Sequence, residues 1–286
     1  MKLIRFGDTG HERLGVLEHN STAIDLTGVL GDLDDVLAQG AGLAPIFDVL
    51  TKKGDDLPRV DTADLRLGPP IPRPHQILCI GLNYADHAAE SGMPVPDEPV
   101  VFNKAPNTLV GPNDDVRMPR KAFKVDWEVE LGVVIGKQVR YLDRVEQAAD
   151  VIAGYVLVND VSERESQLER GGQWVKGKSF ETFNPCGPML VTPEEIHNPQ
   201  SLAMRLQVNG ETMQEGDTST MIFGVHHVVW YLSQFMVLEP GDLINTGTPP
   251  GVGAGMKPQR WLKEGDVVEL EIEGLGRQRQ RIVGPS

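Results

Sequence analysis

The sequence contains only two cysteines, Cys79 and Cys186, among its 286 residues. Two cysteines cannot supply a disulfide framework for a chain of this size, and the sequence has no Cys/His spacing typical of a zinc site. Cys79 lies in an apolar run over residues 77–80, where a thiol behaves as a small hydrophobic side chain. Cys79 is therefore predicted to belong to the core.

Long hydrophobic runs and a surplus of positive charge are also absent. Because no stretch of 18 apolar residues occurs and residues 1–8 lack an apolar segment, we expect no membrane span, no signal peptide and a cytoplasmic location. The 27 basic and 41 acidic residues give a net charge of −14, which argues against nucleic acid as a partner, since phosphate binding depends on Lys and Arg. Carboxylates are, however, the ligands that hard cations prefer.

The composition is that of a chain able to bury a core, with 40% hydrophobic and 24% charged residues. The 31 glycines and 21 prolines favour turns and short strands over long helices. Residues 68–74 include four prolines, which stiffen the backbone and remove hydrogen-bond donors. We place a domain boundary there, with a small N-terminal domain over residues 1–70 and a larger one over residues 71–286.

Hydrophobic patterning predicts a strand-rich chain. The Asn209-Gly210 pair is a strong hairpin signal between two of the segments. The predicted strands are 2–6, 14–17, 77–81, 125–135, 155–159, 267–272 and 279–283 with a hairpin over 206–213, and the predicted helices are 33–50, 83–91, 145–153 and 221–236.

Three acids alternate along one predicted strand, at Asp126, Glu128 and Glu130. Side chains two apart on a strand share a face, so either these acids line a solvated face or a cation offsets their repulsion. Asp160 ends the apolar run 155–159 and can supply a third ligand from a second strand. Two glutamates and an aspartate suit the octahedral oxygen coordination of Mg²⁺ or Mn²⁺. The spacing alone leaves both alternatives open.

Five motifs occur in one order over residues 75–283 and together resemble the fumarylacetoacetate hydrolase family. They are GLNYADHAAE at 81–90, EVELGVVIG at 128–136, KSF at 178–180, VNGE at 208–211 and TGTPPGVG at 246–253. The resemblance is greatest to bacterial members that hydrolyse acylpyruvates or 2,4-diketo-3-deoxy sugar acids. It implies an α+β, mostly β fold, a mixed β-sandwich roll with a small N-terminal α+β domain, and assembly as a homodimer.

The resemblance also implies roles for individual residues. The family's metal ligands match Glu128, Glu130 and Asp160, and Asp126 matches no ligand. The residues matched to catalysis are His87 and Glu90, as a general-base dyad, and Lys178; those matched to substrate binding are Arg164, Gln167 and Thr248.

The hypothesis that follows is hydrolytic cleavage of a C–C bond in a small 2,4-diketo acid. The His87–Glu90 pair would activate water, Mg²⁺ or Mn²⁺ would polarise the substrate, and pyruvate would depart as an enolate bound to the metal. Decarboxylation of oxaloacetate and isomerisation of keto acids use the same type of enolate and stay open as alternatives. An alternative of another class is a metal-stabilised binding module without catalysis. A nucleotide cofactor is not expected, because the glycines at 251–255 lack a βαβ frame.

Overall fold

The computed structural model describes residues 1–19, 21–90, 92 and 94–285, and for residues 87–89 it describes the backbone alone. The strands are β1 (Lys2–Phe6), β2 (Arg13–His19), β3 (Thr22–Asp25), β4 (Arg59–Asp61), β5 (Leu67–Gly68), β6 (Ile77–Gly81), β7 (Val100–Lys104), β8 (Leu109–Val110), β9 (Val116–Arg117), β10 (Val125–Asp126), β11 (Val129–Ile135), β12 (Ile152–Asn159), β13 (Ser162–Glu163), β14 (Asn184–Pro185), β15 (Leu190–Val191), β16 (Ala203–Val208), β17 (Glu211–Asp217), β18 (Leu243–Asn245), β19 (Val267–Ile272) and β20 (Gly276–Val283). The α-helices are α1 (Leu33–Leu37), α2 (Ala44–Lys53), α3 (Ala85–Glu90), α4 (Val175–Lys178) and α5 (Val225–Ser233).

Two sheets enclose the main core. The larger runs in the order β4-β3-β2-β1-β15-β12-β11-β18-β6-β7, with β5 paired to β1, and the smaller in the order β17-β16-β19-β20-β9. Leu131 and Leu157 from the larger sheet and Leu206 and Leu270 from the smaller one belong to one buried cluster. The predicted fold class, α+β and mostly β, is confirmed.

The central strands β11 and β12 are apolar except at Glu130 and Asn159, because both of their faces are covered. They pair antiparallel, with Glu130 opposite Val158 and Leu131 opposite Leu157. Every residue of both strands is buried. An acid on either strand therefore enters the protein interior and not a solvated face.

The N-terminal segment extends the larger sheet. Strand β1 pairs antiparallel with β15, placing Lys2 opposite Val191. Helices α1 and α2 bury Val36 and Ile46 in a cluster that also holds Val134 and Val156 of the central strands. The domain boundary at residue 70 stays a prediction, but the segments on its two sides share a sheet and a core.

Local turn chemistry accounts for the elements that the patterning predicted and for those that differ. The Asn209-Gly210 hairpin between β16 and β17 is confirmed, with φ of 53° and 79° at the two positions that a left-handed turn requires. The predicted helix 33–50 is two helices, because Gly40 and Gly42 adopt φ of 75° and 59° between α1 and α2. The predicted helix 145–153 is a 3-10 turn, Val145–Asp150, followed directly by β12.

The predicted helix over residues 221–236 is shorter than expected. Helix α5 covers only Val225–Ser233, and Gly224 precedes it in an extended conformation with ψ of 163°. Among the described residues, no helix has the length and apolar character needed to cross a membrane.

Removal of residues 1–70 tests how far the segments depend on each other. We expect a 71–286 fragment to aggregate on expression, because it leaves the edge of β15 unpaired and exposes Val134, Val156 and Leu190. Size-exclusion chromatography and thermal unfolding against the full chain measure this. A monodisperse fragment with the melting temperature of the full chain would show that the two segments fold independently.

Candidate active site

Three carboxylates converge where β11 begins and β12 ends. Glu130 lies on β11, Glu128 lies just before it, and Asp160 follows β12 directly. The antiparallel pairing brings the ends together, since the Asp160 amide donates to the Glu128 carbonyl at 2.9 Å. One ligand oxygen from each of the three side chains lies within 4.8 Å of the other two. The geometry is that of a small oxygen-ligand site for one cation.

The solvated-face interpretation of the acids is wrong. Asp126, Glu128 and Glu130 are 0%, 5% and 2% exposed. The predicted strand 125–135 is also interrupted, because Trp127 and Glu128 lie between β10 and β11. The break separates Asp126 from the cluster, so that its carboxylate accepts hydrogen bonds from the Gly253 and Ala254 amides at 2.7 and 3.0 Å.

Three buried cations surround the carboxylates. The Lys178 ammonium donates to Glu128 Oε2 at 2.7 Å and to Asp160 Oδ2 at 2.9 Å. Lys104 donates to the other Asp160 oxygen, Oδ1. Arg164 Nη2 lies 2.7 Å from Glu128 Oε1 and 2.8 Å from Asp126 Oδ2. Burial alone lowers the pKa of Lys178, but Asp160 and Glu128 raise it well above its ordinary value, so the ammonium stays charged.

Glu130 is the acid with the least compensation. Its Oε2 accepts a hydrogen bond from the Gly247 amide at 2.8 Å. Burial, together with the negative charges of Asp160 and Glu128, raises the pKa of Glu130 well above its ordinary range. The four acids named above, including Asp126, thus face the three buried cations Lys104, Arg164 and Lys178. A divalent cation fits this site, since its charge offsets the repulsion and all the donors are carboxylate oxygens.

Sequence reasoning missed Lys104. Its ammonium also donates to the Val161 carbonyl at 3.1 Å and to the Phe183 carbonyl at 2.6 Å. The side chain is 1% exposed and ends strand β7. The only signal in the sequence is a lysine closing a short apolar run at Val100–Lys104, which is also common at strand ends on a surface.

The glycine-rich segment 251–255 connects the acids with helix α3. The Gly251 amide donates to Glu90 Oε1 at 3.0 Å and to Oε2 at 3.2 Å. A Cβ at Gly255 would lie 2.4 Å from the Glu90 carboxyl carbon, so any larger residue there would require the Glu90 side chain to shift. The backbone of residue 87 lies on α3, but the side chain of His87 falls outside the described part, and the His87–Glu90 dyad stays a prediction.

A cavity of about 360 Å³ opens beside the carboxylates. It brings together the predicted residues Arg164, Gln167, Lys178 and Thr248. Arg164 donates to the Gln167 side-chain oxygen at 3.0 Å. The lining consists of Ile80, Gly81, Leu82, Phe102, Glu128, Glu130, Arg164, Gln167, Leu168, Trp174, Lys178, Thr248, Val252, Ala254, Gly255 and Gln259.

Protein groups already engage the Thr248 hydroxyl. It donates to the Val129 carbonyl at 2.9 Å and accepts from the Gln214 amide at 2.8 Å. Gln214 in turn accepts from the Val129 amide at 3.0 Å. Thr248 thus fixes the turn after β18 against the start of β11, and its contact with substrate stays a prediction.

Comparison with known proteins assigns the family. The family model described as fumarylacetoacetate hydrolase C-terminal matches residues 76–283. The chain belongs to the fumarylacetoacetate hydrolase family. The predicted resemblance is confirmed, and so is the prediction that the chain is an enzyme of the hydrolase class.

Relatives in the fumarylacetoacetate hydrolase family cover nearly the whole chain. A 2,4-didehydro-3-deoxy-L-rhamnonate hydrolase of Sphingomonas sp. is 50% identical over 284 residues, 99% of this chain and 96% of its own. The solved structure of fumarylacetoacetate hydrolase from Exiguobacterium antarcticum is 36% identical, covers 99% of each chain and superposes with a TM-score of 0.85. The maleylpyruvate hydrolase of Sphingobium sp. SYK-6, solved with manganese(II) and pyruvate, is 28% identical with a TM-score of 0.83 and covers 100% of each chain.

Asp126 is predicted to position Arg164 for Glu128. Asp126→Asn removes the charge that Arg164 Nε and Nη2 contact at 2.9 and 2.8 Å. We expect the dissociation constant for Mn²⁺ to rise about 10-fold or more, since partners of metal ligands contribute on that order. Titration calorimetry measures this.

The matched control is Asp242→Asn. Asp242 is also 0% exposed and accepts backbone amides, from Gln76 at 3.0 Å and Glu239 at 2.8 Å, without belonging to the cavity lining described above. Equal Mn²⁺ affinity in wild type and Asp126→Asn would remove Asp126 from this role.

Proposed function

We propose that this chain is a divalent-metal-dependent hydrolase that cleaves a C–C bond in a 2,4-diketo acid, giving pyruvate and a carboxylic acid. The observation that carries the proposal is the buried group of Glu128, Glu130 and Asp160 beside a cavity that Glu128, Glu130 and Lys178 line. Held there, Mg²⁺ or Mn²⁺ would act as a Lewis acid on the keto and carboxylate oxygens of the substrate.

The balance of the reaction requires one water. Its hydroxyl joins the acyl carbon C4, the bond between C3 and C4 breaks, and the electron pair on C3 takes up a proton to give the methyl group of pyruvate. Negative charge develops on the C4 oxygen and then on the departing three-carbon unit. Lys178 is the charged side chain suited to that stage, because two carboxylates keep it protonated within the cavity lining.

The water needs a base. The Gly251 amide donates a hydrogen bond to the Glu90 carboxylate. This carboxylate lies next to Gly255, and Gly255 lines the cavity. His87 precedes Glu90 by about one turn of α3. His87 would take a proton from water, and Glu90 would stabilise the imidazolium that forms.

The relatives' names support the same chemistry. The 50% identical Sphingomonas protein is named as a hydrolase of 2,4-didehydro-3-deoxy-L-rhamnonate. The Sphingobium maleylpyruvate hydrolase was solved with a divalent cation and with pyruvate, the product that our proposal requires. The cytoplasmic location and the homodimer stay predictions.

Glu128→Ala is expected to abolish both metal binding and turnover, because it removes one of three ligands and the carboxylate that Lys178 and Arg164 contact. Mn²⁺ binding by calorimetry and pyruvate release from acetylpyruvate are the measurements, with circular dichroism as the check on folding. Full activity of a folded Glu128→Ala protein in the presence of a chelator would refute the metal-dependent mechanism.

His87→Ala is expected to keep the wild-type affinity for Mn²⁺ and to lower kcat by about 100-fold or more, the usual contribution of a general base. Oxaloacetate is assayed in parallel for loss of CO₂. If oxaloacetate is consumed faster than every diketo acid, and His87→Ala leaves that rate unchanged, decarboxylation replaces hydrolysis as the function.

A further inference from the structure

The cavity lining divides into a charged part and an uncharged part. Among the described lining residues, the charged side chains are Glu128, Glu130, Arg164 and Lys178, and all belong to the carboxylate cluster. Both cations are already paired with carboxylates. Arg164 pairs with Asp126 and Glu128, and Lys178 pairs with Glu128 and Asp160.

The remaining lining includes the apolar side chains of Leu82, Phe102, Leu168 and Trp174, which together are called the apolar wall below. Phe102 and Trp174 pack edge to face, with ring centroids 5.2 Å apart. Phe102 also meets the cluster, since the Lys178 ammonium lies 5.0 Å from its ring centroid. The apolar wall thus begins directly at the catalytic lysine.

Local backbone features hold the apolar wall in place. Trp174 is the N-cap residue of α4, one helical turn before Lys178 at the end of this short helix. Gly81 makes room for the indole, because a Cβ there would lie 2.5 Å from Trp174 Cζ3. Leu82 adopts φ of 55°, a left-handed conformation that is unfavourable for leucine and is found mainly where the surroundings enforce it.

Asn83 provides that enforcement. Its side-chain amide donates to the Thr246 carbonyl at 2.8 Å and to the Phe223 carbonyl at 3.0 Å, while its oxygen accepts from the Phe223 amide at 2.8 Å. Leu168, by contrast, is 54% exposed although it lines the cavity. An apolar side chain at this place gains most when an apolar part of a ligand covers it.

We propose that the apolar wall selects keto acids whose tail beyond C4 is uncharged, with Trp174 and Leu168 as specificity-determining residues. The inference rests on the proposed function for one point, that the keto-acid head binds at the carboxylate cluster. The tail then meets the apolar wall and the neutral amides of Gln167 and Gln259. A tail carboxylate would lose water there without a counter-charge from the described residues of this part of the lining, whereas alkyl groups pack and hydroxyl groups meet the amides.

Binding of three probes to the full-length, Mn²⁺-loaded protein tests the proposal without requiring catalysis. Pyruvate supplies the head alone, and 2-oxohexanoate and 2-oxoadipate differ only by a methyl or a carboxylate at C6. We expect 2-oxohexanoate to bind about 10-fold or more tightly than 2-oxoadipate, as measured by calorimetry. Equal affinities, or tighter binding of 2-oxoadipate, would overturn the proposal.

Variants then assign the preference to the apolar wall. Trp174→Ala is expected to lower the affinity for 2-oxohexanoate about 5-fold and to leave the affinity for pyruvate unchanged. Leu168→Arg is expected to raise the affinity for 2-oxoadipate about 10-fold. The matched variant Leu168→Gln, which is polar but uncharged, is expected to leave that affinity unchanged. Two outcomes would contradict the assigned roles: an equal gain in affinity for 2-oxoadipate in Leu168→Arg and Leu168→Gln, or an equal loss of affinity for all three probes in Trp174→Ala.

The outcomes separate this inference from the proposed function. A tail preference with no turnover of any diketo acid would overturn hydrolysis and leave the apolar wall as the specificity element. Turnover of fumarylpyruvate as fast as acetylpyruvate, with equal probe affinities, would overturn the tail preference and leave hydrolysis in place. Failure of pyruvate to bind the Mn²⁺-loaded protein would overturn both.

Discussion

Burial of three carboxylates within 4.8 Å of one another is the constraint on which the rest of the site depends. Their mutual repulsion and lost hydration are costly in an interior, so each must face positive charge or a donor. The cations come from separate places: Lys104 from β7, Arg164 from the segment after β13, and Lys178 from α4. The cluster therefore exists only when distant parts of the chain are packed together.

The need for backbone donors beside further acids accounts for Gly251 and Gly253, in place of a nucleotide-binding loop. A Cβ at Gly251 would lie 2.0 Å from the Met213 carbonyl oxygen, and one at Gly253 would lie 1.9 Å from that of Arg260. The backbone is thereby free to offer amides to Glu90 and Asp126. Backbone donors hold two acids without adding a side-chain cation, and one of those acids positions Arg164.

Turn chemistry made the Asn209-Gly210 hairpin predictable, because it depends on adjacent residues. For the acids, the spacing left a solvated face and a cation site both open, and only the resemblance to the family matched Glu128, Glu130 and Asp160 to metal ligands. The break at Trp127, the burial of Asp126 and the role of Lys104 depend instead on contacts 38 to 127 residues away. A single sequence carries no periodicity for such contacts, and a lysine at a strand end looks like a surface residue.

The three cations also differ in what they can do for a substrate. Lys104 has carbonyl acceptors at Val161 and Phe183 besides Asp160, and it is absent from the described lining of the cavity. Lys104 therefore positions the Asp160 carboxylate and is not itself placed to contact a substrate. The Arg164 side chain contacts Asp126, Glu128 and Gln167, so it mainly fixes the direction of other groups. In the described part of the chain, the hydrogen bonds of the Lys178 ammonium go to two carboxylates whose charge a bound divalent cation would share, and Lys178 lines the cavity. Charge shared with a cation attracts the ammonium less, which leaves Lys178 freer than the other two to meet negative charge on a substrate.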